Sequence, residues 1–299
     1  MGIDLGGTKS EVIVLDRAGA ELRRRRVPSP RGDYRATIET IAGLVDWAEE
    51  EVAATCSVGV GHPGSLSPAS GLIRNANSTW LNGQPFGRDL EARLGRRVAM
   101  ANDADCLALS EATDGAGAGA TSVFAVIIGT GTGGGLVLDG KLIRGANGIA
   151  GEWGHNALPW PTADEFPGPG CWCGKHGCIE TWLSGTGLGR AASEALGRPL
   201  TGAEVADAAM AGDPDALGQM YAYAERFAKA SATVLNLFDP EVVVLGGGVS
   251  NVPLLYELIP PAWQRWVFAD AITTRLARAQ HGDSSGVRGA AWLGRTRAS

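Results

Sequence analysis

One supersecondary unit, a strand followed by a glycine- and threonine-rich turn and a second strand, occurs twice in this 299-residue sequence. The two copies lie about 125 residues apart, so that each half of the chain contains one. This repeat constrains the fold strongly, because both halves must then build similar sheets. The predicted copies consist of a strand at 2–5, a turn at 6–9 and a strand at 12–15, and of a strand at 123–128, a turn at 129–135 and a strand at 136–139.

The rest of the chain alternates between helices and strands. Helices are predicted at 37–52, 89–94, 104–115, 201–236 and about 285–293, and further strands at 58–61, 98–101 and 241–245. This alternation predicts an α/β fold. A Gly/Ala-rich break at 115–119 predicts a hinge. We expect an N-terminal α/β domain at 1–117, joined by the C-terminal helix at about 284–299, and a C-terminal α/β domain at 118–283 that contains a cysteine-rich loop.

Glycine is unusually frequent, with 44 residues or about 15% of the chain, roughly twice the usual share. It clusters in three turns, at 6–9, 129–135 and 246–250. Backbone N–H groups in such turns can point at phosphate oxygens, because no Cβ blocks the approach. Any one turn could be purely structural, but the repeat favours phosphate binding. The match of residues 129–134 to a dinucleotide fingerprint is weak, because a strand rather than a helix follows.

Carboxylates occur beside the first turn and at the end of a strand. Asp4 could reach a hydrated Mg²⁺ that bridges nucleotide phosphates, or could cap its own turn. Asn102 and Asp103 end a strand of an open α/β sheet, where ligands collect. Asp103 could orient an alcohol and accept its proton, or could cap the following helix, and the sequence alone favours neither interpretation. Asp105 is a weaker candidate for the base.

Three of the five cysteines, Cys171, Cys173 and Cys178, lie within eight residues of one another. Three thiolates on one short loop indicate Zn²⁺, which usually takes four nitrogen or sulfur ligands. His176 is the local candidate for the fourth ligand and His155 is the more distant one. Spacing does not choose between the two histidines.

Charge and composition exclude several classes of protein. The net charge of −6 and the pI near 5.3 argue against a nucleic-acid-binding protein. No apolar run is long enough to span a membrane and no signal peptide is recognisable, so a cytoplasmic location is expected. The odd number of cysteines argues against a disulfide framework, and Cys56 and Cys106 are expected to be buried thiols.

Several of these motifs together resemble the ROK family (repressors, open reading frames, kinases) of the sugar kinase and actin superfamily. The resemblance covers essentially the whole chain. It rests on Asp4-Leu5-Gly6-Gly7-Thr8-Lys9, Gly151-Glu152-Trp153-Gly154-His155, the cysteine segment that ends at Glu180, and Leu245-Gly246-Gly247-Gly248. Residues 75–83 and 282–291 further resemble the bacterial fructokinase (manno/fructokinase) branch. The resemblance implies a two-domain, actin-like ATPase fold with a cleft between the domains.

The activity that the resemblance implies is ATP-dependent phosphorylation of a hexose 6-hydroxyl, with fructose as the expected substrate. A glucokinase, mannokinase or N-acetylhexosamine kinase is the alternative among enzymes. A sugar-responsive regulator is the alternative among binding proteins, but we expect no DNA-binding module, because the sequence starts directly at its first strand. The implied cofactors are ATP, Mg²⁺ and Zn²⁺. A homodimer is expected, with no nucleic-acid or membrane partner.

The resemblance also implies roles for individual residues. Asp103 becomes the catalytic base, and His155 becomes the fourth zinc ligand beside the three cysteines. The implied sugar contacts are Gly64, Asn77, Asn102, Asp103, Glu152, His155 and Glu180. Asp4 is expected to be near Mg²⁺, and the implied ATP and phosphate contacts are Asp4, Gly6, Gly7, Thr8, Lys9, Thr130, Gly131, Gly133, Gly247 and Gly248.

Overall fold

The computed structural model describes residues 1–296 and builds the first part of the chain around one five-stranded sheet. The elements are β1 (Gly2–Leu5), β2 (Lys9–Leu15), β3 (Glu21–Pro28), α1 (Tyr34–Val52), β4 (Val58–His62), β5 (Ser65–Leu66), β6 (Ile73–Arg74), α2 (Phe86–Leu94), β7 (Val98–Asn102) and α3 (Asp103–Asp114). The sheet order is β3-β2-β1-β4-β7, in which β1, β2 and β3 are antiparallel neighbours and β4 and β7 run parallel to β1. The buried face of α1, with Ile41 and Val45, packs against this sheet.

The second part of the chain repeats this plan. Its elements are β8 (Ser122–Ile128), β9 (Thr132–Leu138), β10 (Lys141–Leu142), α4 (Ile179–Leu183), α5 (Gly185–Leu196), α6 (Gly202–Met210), α7 (Pro214–Phe238), β11 (Val242–Gly246), α8 (Leu254–Trp263), β12 (Arg275–Arg278) and α9 (Ser285–Thr296). The sheet order is β10-β9-β8-β11-β12, again with three antiparallel strands followed by parallel ones. The predicted repeat and the α/β fold are therefore confirmed.

The predicted turn at 129–135 is too long, because β9 already begins at Thr132. Gly133, Gly134 and Gly135 pair with β8 and lie inside a strand. A Cβ on Gly135 would overlap the backbone of α3, and one on Gly134 would overlap the Trp153 ring. These glycines are therefore explained by close packing, and the turn itself ends at Gly131.

Some predicted helices have different bounds. The region 201–236 contains two helices, α6 and α7, because the turn at Gly212 separates them and Asp213 caps the second. The helix predicted at 89–94 already begins at Phe86, and α4, α5 and α8 were not predicted. Short 3₁₀ turns lie at Thr79–Leu81, Trp153–His155, Ala163–Glu165, Gly248–Asn251 and Gly282–Ser284.

The last helix, α9, packs on the first sheet rather than on the second. Val287 and Ala291 are buried against Ile13, and Ala290 is buried against the neighbouring strands. A Cβ on Gly59 would overlap the Ala290 carbonyl, so that helix and strand touch through their backbones. The C-terminal helix therefore belongs to the same layer as the N-terminal strands.

The chain crosses between the sheets twice, and Glu111 near the end of α3 binds both crossings. Its buried carboxylate accepts hydrogen bonds from Ala116 N (2.9 Å), Gln280 N (2.9 Å) and His281 N (3.2 Å). The predicted domain boundaries at 117/118 and 283/284 fall in these crossings and stay a prediction. Within residues 1–296, no helix has the length and apolar character needed to cross a membrane.

Candidate functional site

A cavity of about 1200 Å³ lies between the two halves of the molecule. The predicted sugar contacts Gly64, Asn77, Asp103 and Glu180 line it, together with Thr130 and Gly131 of the second glycine turn. Asn102, Glu152 and His155 lie next to this set. Asn102 caps α3, the Glu152 carboxylate interacts electrostatically with Asp103 and Glu180, and His155 packs against the lining residue Trp172.

Asp103 is the first residue of α3 and is exposed to the cavity. The helix cap is Asn102, whose Oδ1 accepts a hydrogen bond from Asp105 N (2.7 Å), so the capping interpretation of Asp103 is wrong. Surrounding protein removes much of the water around Asp103 and raises the pKa of its carboxyl above the ordinary value. A carboxylate with a raised pKa, open to a cavity, can act as a general base.

Asp105, the weaker candidate, lies in the same first turn of α3 and does not line the cavity. Burial raises its pKa to about 7, against the opposing effect of the Arg144 guanidinium. Its Oδ1 is buried and has no hydrogen-bond partner within residues 1–296. Asp105 therefore has no access to a ligand in the cavity.

Asp4 lies at the end of β1 beside the cleft. Burial, followed by the charges of Asp103 and Glu11, raises the pKa of Asp4 to about 7. In the part of the chain that the structure describes, its carboxylate makes no hydrogen bond to the 6–9 turn, which contradicts the capping alternative. A divalent cation would offset the repulsion between Asp4 and Asp103, so the residues present fit a Mg²⁺ site.

The polar loop between β6 and α2 presents Asn77 to the cavity. The side chain of Asn82 holds this loop, because it accepts a hydrogen bond from Ala76 N (2.8 Å) and donates one to Ala76 O (3.0 Å). Gly64 has a φ of +75°, and a Cβ there would overlap the Ala76 backbone. Sequence reasoning missed Asn82, although an asparagine in an irregular loop often binds the backbone in this way.

Glu180, near the start of α4, uses both carboxylate oxygens. Oε2 accepts a hydrogen bond from Thr132 N (3.0 Å), directly after the second glycine turn, and Oε1 accepts one from Trp172 Nε1 (2.8 Å). Glu180 therefore connects the glycine turn to the cysteine loop. The pKa of the neighbouring Glu152 is raised by burial, although His155 opposes the shift.

The three loop cysteines and His155 form one cluster, in which the ligand atoms all lie within 4.8 Å of one another. His155 Nδ1 is 3.6 Å from Cys171 Sγ, and the Cys173 and Cys178 sulfurs are 3.6 Å apart. Two thiolates bound tetrahedrally to Zn²⁺ at about 2.3 Å lie about 3.8 Å apart, so this donor set fits the ion. His176 is exposed and lies outside the cluster, so the geometry favours His155.

The other cysteines lie away from this cluster. Cys106 is buried, as predicted, whereas Cys56 is only half-buried. His62, at the end of β4, is buried against Phe86, and burial lowers its pKa to about 4. None of these three side chains lines the cavity.

A second cavity of about 660 Å³ adjoins the first. It lies between the second glycine turn, the start of α5 and the 3₁₀ turn that follows β11. Its walls include Gly129, Thr130, Gly185, Thr186, Arg190, Gly248 and Val249. The two cavities share Thr130, Thr186 and Arg190. Sequence reasoning missed the α5 residues, although Ser184 before Gly185 is a helix N-cap signal.

The predicted phosphate residues lie at different places around these cavities. Each of the first two glycine turns is closed by a backbone hydrogen bond from its first residue. Gly6 N donates to Lys9 O, and Gly129 N donates to Gly131 O (both 3.0 Å). Residues 6–9 lie outside both cavity walls, and Gly7, Thr8 and Lys9 are exposed. Gly247 has a φ of +82° and packs against the Ile128 backbone, whereas Gly248 lines the second cavity.

Comparison with known families identifies this architecture. The sequence profile of the ROK family matches residues 1–297. The chain belongs to the ROK family. An N-acetyl-D-glucosamine kinase from Vibrio vulnificus is 39% identical over 296 residues, which is 98% of each protein. Among ROK structures, a hexokinase from Thermus thermophilus has a TM-score of 0.87 and 35% identity, and the match covers 99% of this chain and 98% of that one.

A second ROK structure is a glucokinase from Streptomyces griseus in complex with glucose and AMPPNP. It has a TM-score of 0.79 and 31% identity, and the match covers 99% of this chain and 98% of that one. Together these relatives support the actin-like ATPase fold and a sugar kinase that uses ATP and a hexose. None of these three relatives is a fructokinase, so the predicted fructokinase branch is not confirmed.

Proposed function

We propose that this ROK protein transfers the γ-phosphoryl group of ATP to the 6-hydroxyl of N-acetyl-D-glucosamine. The observation that carries the proposal is the junction of the two cavities at Thr130, Thr186 and Arg190, with Asp103 exposed on the wall of the larger one. A sugar in the larger cavity and a nucleotide in the smaller one would meet at this junction. The 39% identity to N-acetyl-D-glucosamine kinases supports the choice of sugar over fructose.

Asp103 would orient the sugar 6-hydroxyl and accept its proton as the oxygen attacks the γ-phosphorus. The bond from the γ-phosphorus to the bridging oxygen breaks, and ADP leaves with the electron pair. The raised pKa of Asp103 makes its carboxylate a stronger base than an ordinary aspartate. Backbone N–H groups of the glycine turns would bind the charged phosphate oxygens.

Further residues around the two cavities would contact the sugar and the nucleotide. Asn77, Asn102, Glu152, His155, Glu180 and the Gly64 backbone would contact the sugar. The nucleotide and its phosphates would contact Asp4, Gly6, Gly7, Thr8, Lys9, Thr130, Gly131, Gly133, Gly247 and Gly248. Domain closure about the two crossings, and a homodimer, stay predictions.

Two metal ions fit the residues present. Asp4 would hold Mg²⁺ beside the phosphates, where the ion supplies positive charge to the transferring group. His155, Cys171, Cys173 and Cys178 would hold Zn²⁺ in a structural site. Each of these assignments rests on the donor set described above.

The test is ADP release from Mg²⁺–ATP with N-acetylglucosamine, N-acetylmannosamine, glucose, mannose and fructose at equal concentrations. We expect the highest kcat/KM with N-acetylglucosamine. The highest kcat/KM with fructose would contradict N-acetylglucosamine as the substrate and support the fructokinase branch. A preference for another hexose would support the kinase activity but not the choice of sugar. The absence of ADP release with every sugar would contradict the kinase proposal itself.

A further inference from the structure

Trp172 is an exposed aromatic residue in the wall of the larger cavity. It lies in the cysteine loop between Cys171 and Cys173, and its side chain is 65% exposed. Among the cavity-lining residues within 1–296, it is the only aromatic one. A large aromatic side chain left exposed in the wall of a cavity marks a ligand surface.

The indole of Trp172 is held in place although it is exposed. Its Nε1 donates a hydrogen bond to Glu180 Oε1 (2.8 Å), and its ring packs edge-to-face with His155 at a centroid distance of 4.8 Å. These two neighbours are themselves assigned to the sugar. The ring therefore stands beside the sugar position, with its N–H used and its apolar surface free.

The surrounding groups and Trp172 suit different parts of a sugar. Asn77, Asp103 and Glu180 can form hydrogen bonds with hydroxyl groups, whereas the indole surface can only exclude water from an apolar group. A hexose with a free 2-hydroxyl offers such a surface only its C–H groups. A 2-acetamido hexose adds a methyl group, which gains free energy when it packs on an aromatic ring.

We propose that Trp172 is a specificity-determining residue that contacts the acetamido methyl group and favours 2-acetamido hexoses over 2-hydroxy hexoses. This inference rests on the proposed function, because it assumes that a hexose occupies the larger cavity. Trp172 is not among the predicted sugar contacts, and its proposed role is to favour sugars that carry an acetamido methyl group.

The test compares kcat/KM for N-acetylglucosamine with kcat/KM for glucose in three variants. Trp172→Ala removes the ring, and we expect the ratio of the two values to fall roughly tenfold, as for other small apolar groups lost from a contact. Trp172→Phe keeps an aromatic surface but loses the bond to Glu180, so both values fall while most of the ratio remains. Trp160→Ala, a second exposed tryptophan outside the cavity, should leave the ratio unchanged.

Zinc content per chain and circular dichroism are measured for each variant, because Trp172 lies between two metal ligands. If Trp172→Ala loses zinc, the comparison of Trp172→Phe with wild type becomes the test. If the kcat/KM ratio of N-acetylglucosamine to glucose then falls as far in Trp172→Phe as in Trp172→Ala, the proposal is overturned. A zinc-replete Trp172→Ala variant with an unchanged ratio also overturns it, while the proposed function survives. A wild-type enzyme that phosphorylates glucose but not N-acetylglucosamine overturns both.

Discussion

Three carboxyl groups near the cleft, those of Asp4, Asp103 and Asp105, have raised pKa values, and burial is the main cause for each. Burial of a carboxylate without a counter-ion favours its protonated form. The folded state therefore binds these protons more tightly than the unfolded state does, and their contribution to stability declines as pH rises through each raised pKa. This loss of stability falls at the cleft, where the proposed reaction needs a general base.

We predict that Asp103→Asn lowers kcat by roughly 10²–10⁴-fold, because the general base is lost. Its Tm should not fall, since the neutral amide removes a poorly hydrated charge. In the wild type, kcat/KM should decrease toward acid pH as Asp103 is protonated, with a midpoint above the ordinary aspartate value. ADP release across pH and thermal unfolding measure both effects. The control Asp164→Asn changes an exposed carboxylate, and Asp103→Asn turnover within tenfold of wild type would contradict the assignment.

Single residues could be predicted from sequence where the pattern is local. The cysteine spacing indicated a metal loop, and Asp103 was recognisable at the end of a strand. The choice of His155 over His176 was not available from spacing, because it depends on the bridge between Ala157 and Cys178 that brings the two segments together. Long-range contacts of this kind leave no local signal.

The cysteine loop at 171–178 has little regular structure of its own. Isolated bridges join Gly170 to His176 and Ala157 to Cys178, and most side chains of the loop are partly or fully exposed. A loop with so few buried contacts needs another source of order, which a bound metal supplies. Glu180 lies two residues further on, so order in this loop also holds the carboxylate that accepts the hydrogen bond from Thr132 N.

We predict that Cys173→Ser lowers the zinc content and reduces kcat/KM at least roughly tenfold, because Glu180 loses its fixed position. The matched control is Cys56→Ser, which changes a half-buried thiol outside the cluster. Zinc is measured by atomic absorption and activity by ADP release. Full activity in a zinc-free Cys173→Ser sample would rule out a structural zinc site.

At the level of elements, local composition misled the prediction at β9. Three consecutive glycines are typical of a turn, yet here they form a strand because α3 and Trp153 approach its backbone closely. The helix α8 was missed for a similar reason, since Pro260 and Pro261 argue against a helix interior. Tertiary packing determines the secondary structure of both elements. The residues that provide this packing lie outside the local sequence around each element.

The whole molecule depends on the two crossings that join its sheets. Glu111 binds the first crossing at Ala116 and the second at Gln280 and His281, and it also accepts a hydrogen bond from Ser285 Oγ (2.8 Å). One buried carboxylate therefore fixes where the second crossing meets α3 and α9. Closure of the cleft over a sugar would have to bend the chain around this point.

We predict that Glu111→Gln destabilises the protein by roughly 1–3 kcal/mol, because an amide nitrogen then faces backbone N–H donors. Since the crossings set the cleft geometry, KM for the sugar and kcat should change together. Thermal unfolding and steady-state kinetics test this, with the exposed Glu50→Gln as control. Wild-type stability in Glu111→Gln would contradict the role given to this residue.

The position of α9 has a consequence for synthesis on the ribosome. The first sheet is complete at Asn102, but the helix that covers one of its faces begins only at Ser285. At translation rates of about 5–20 residues per second, that face of the sheet stays uncovered for roughly 10–40 s before α9 has been synthesised. During this interval the nascent chain exposes Ile13 and the neighbouring strands, which gives chaperones an apolar surface to bind.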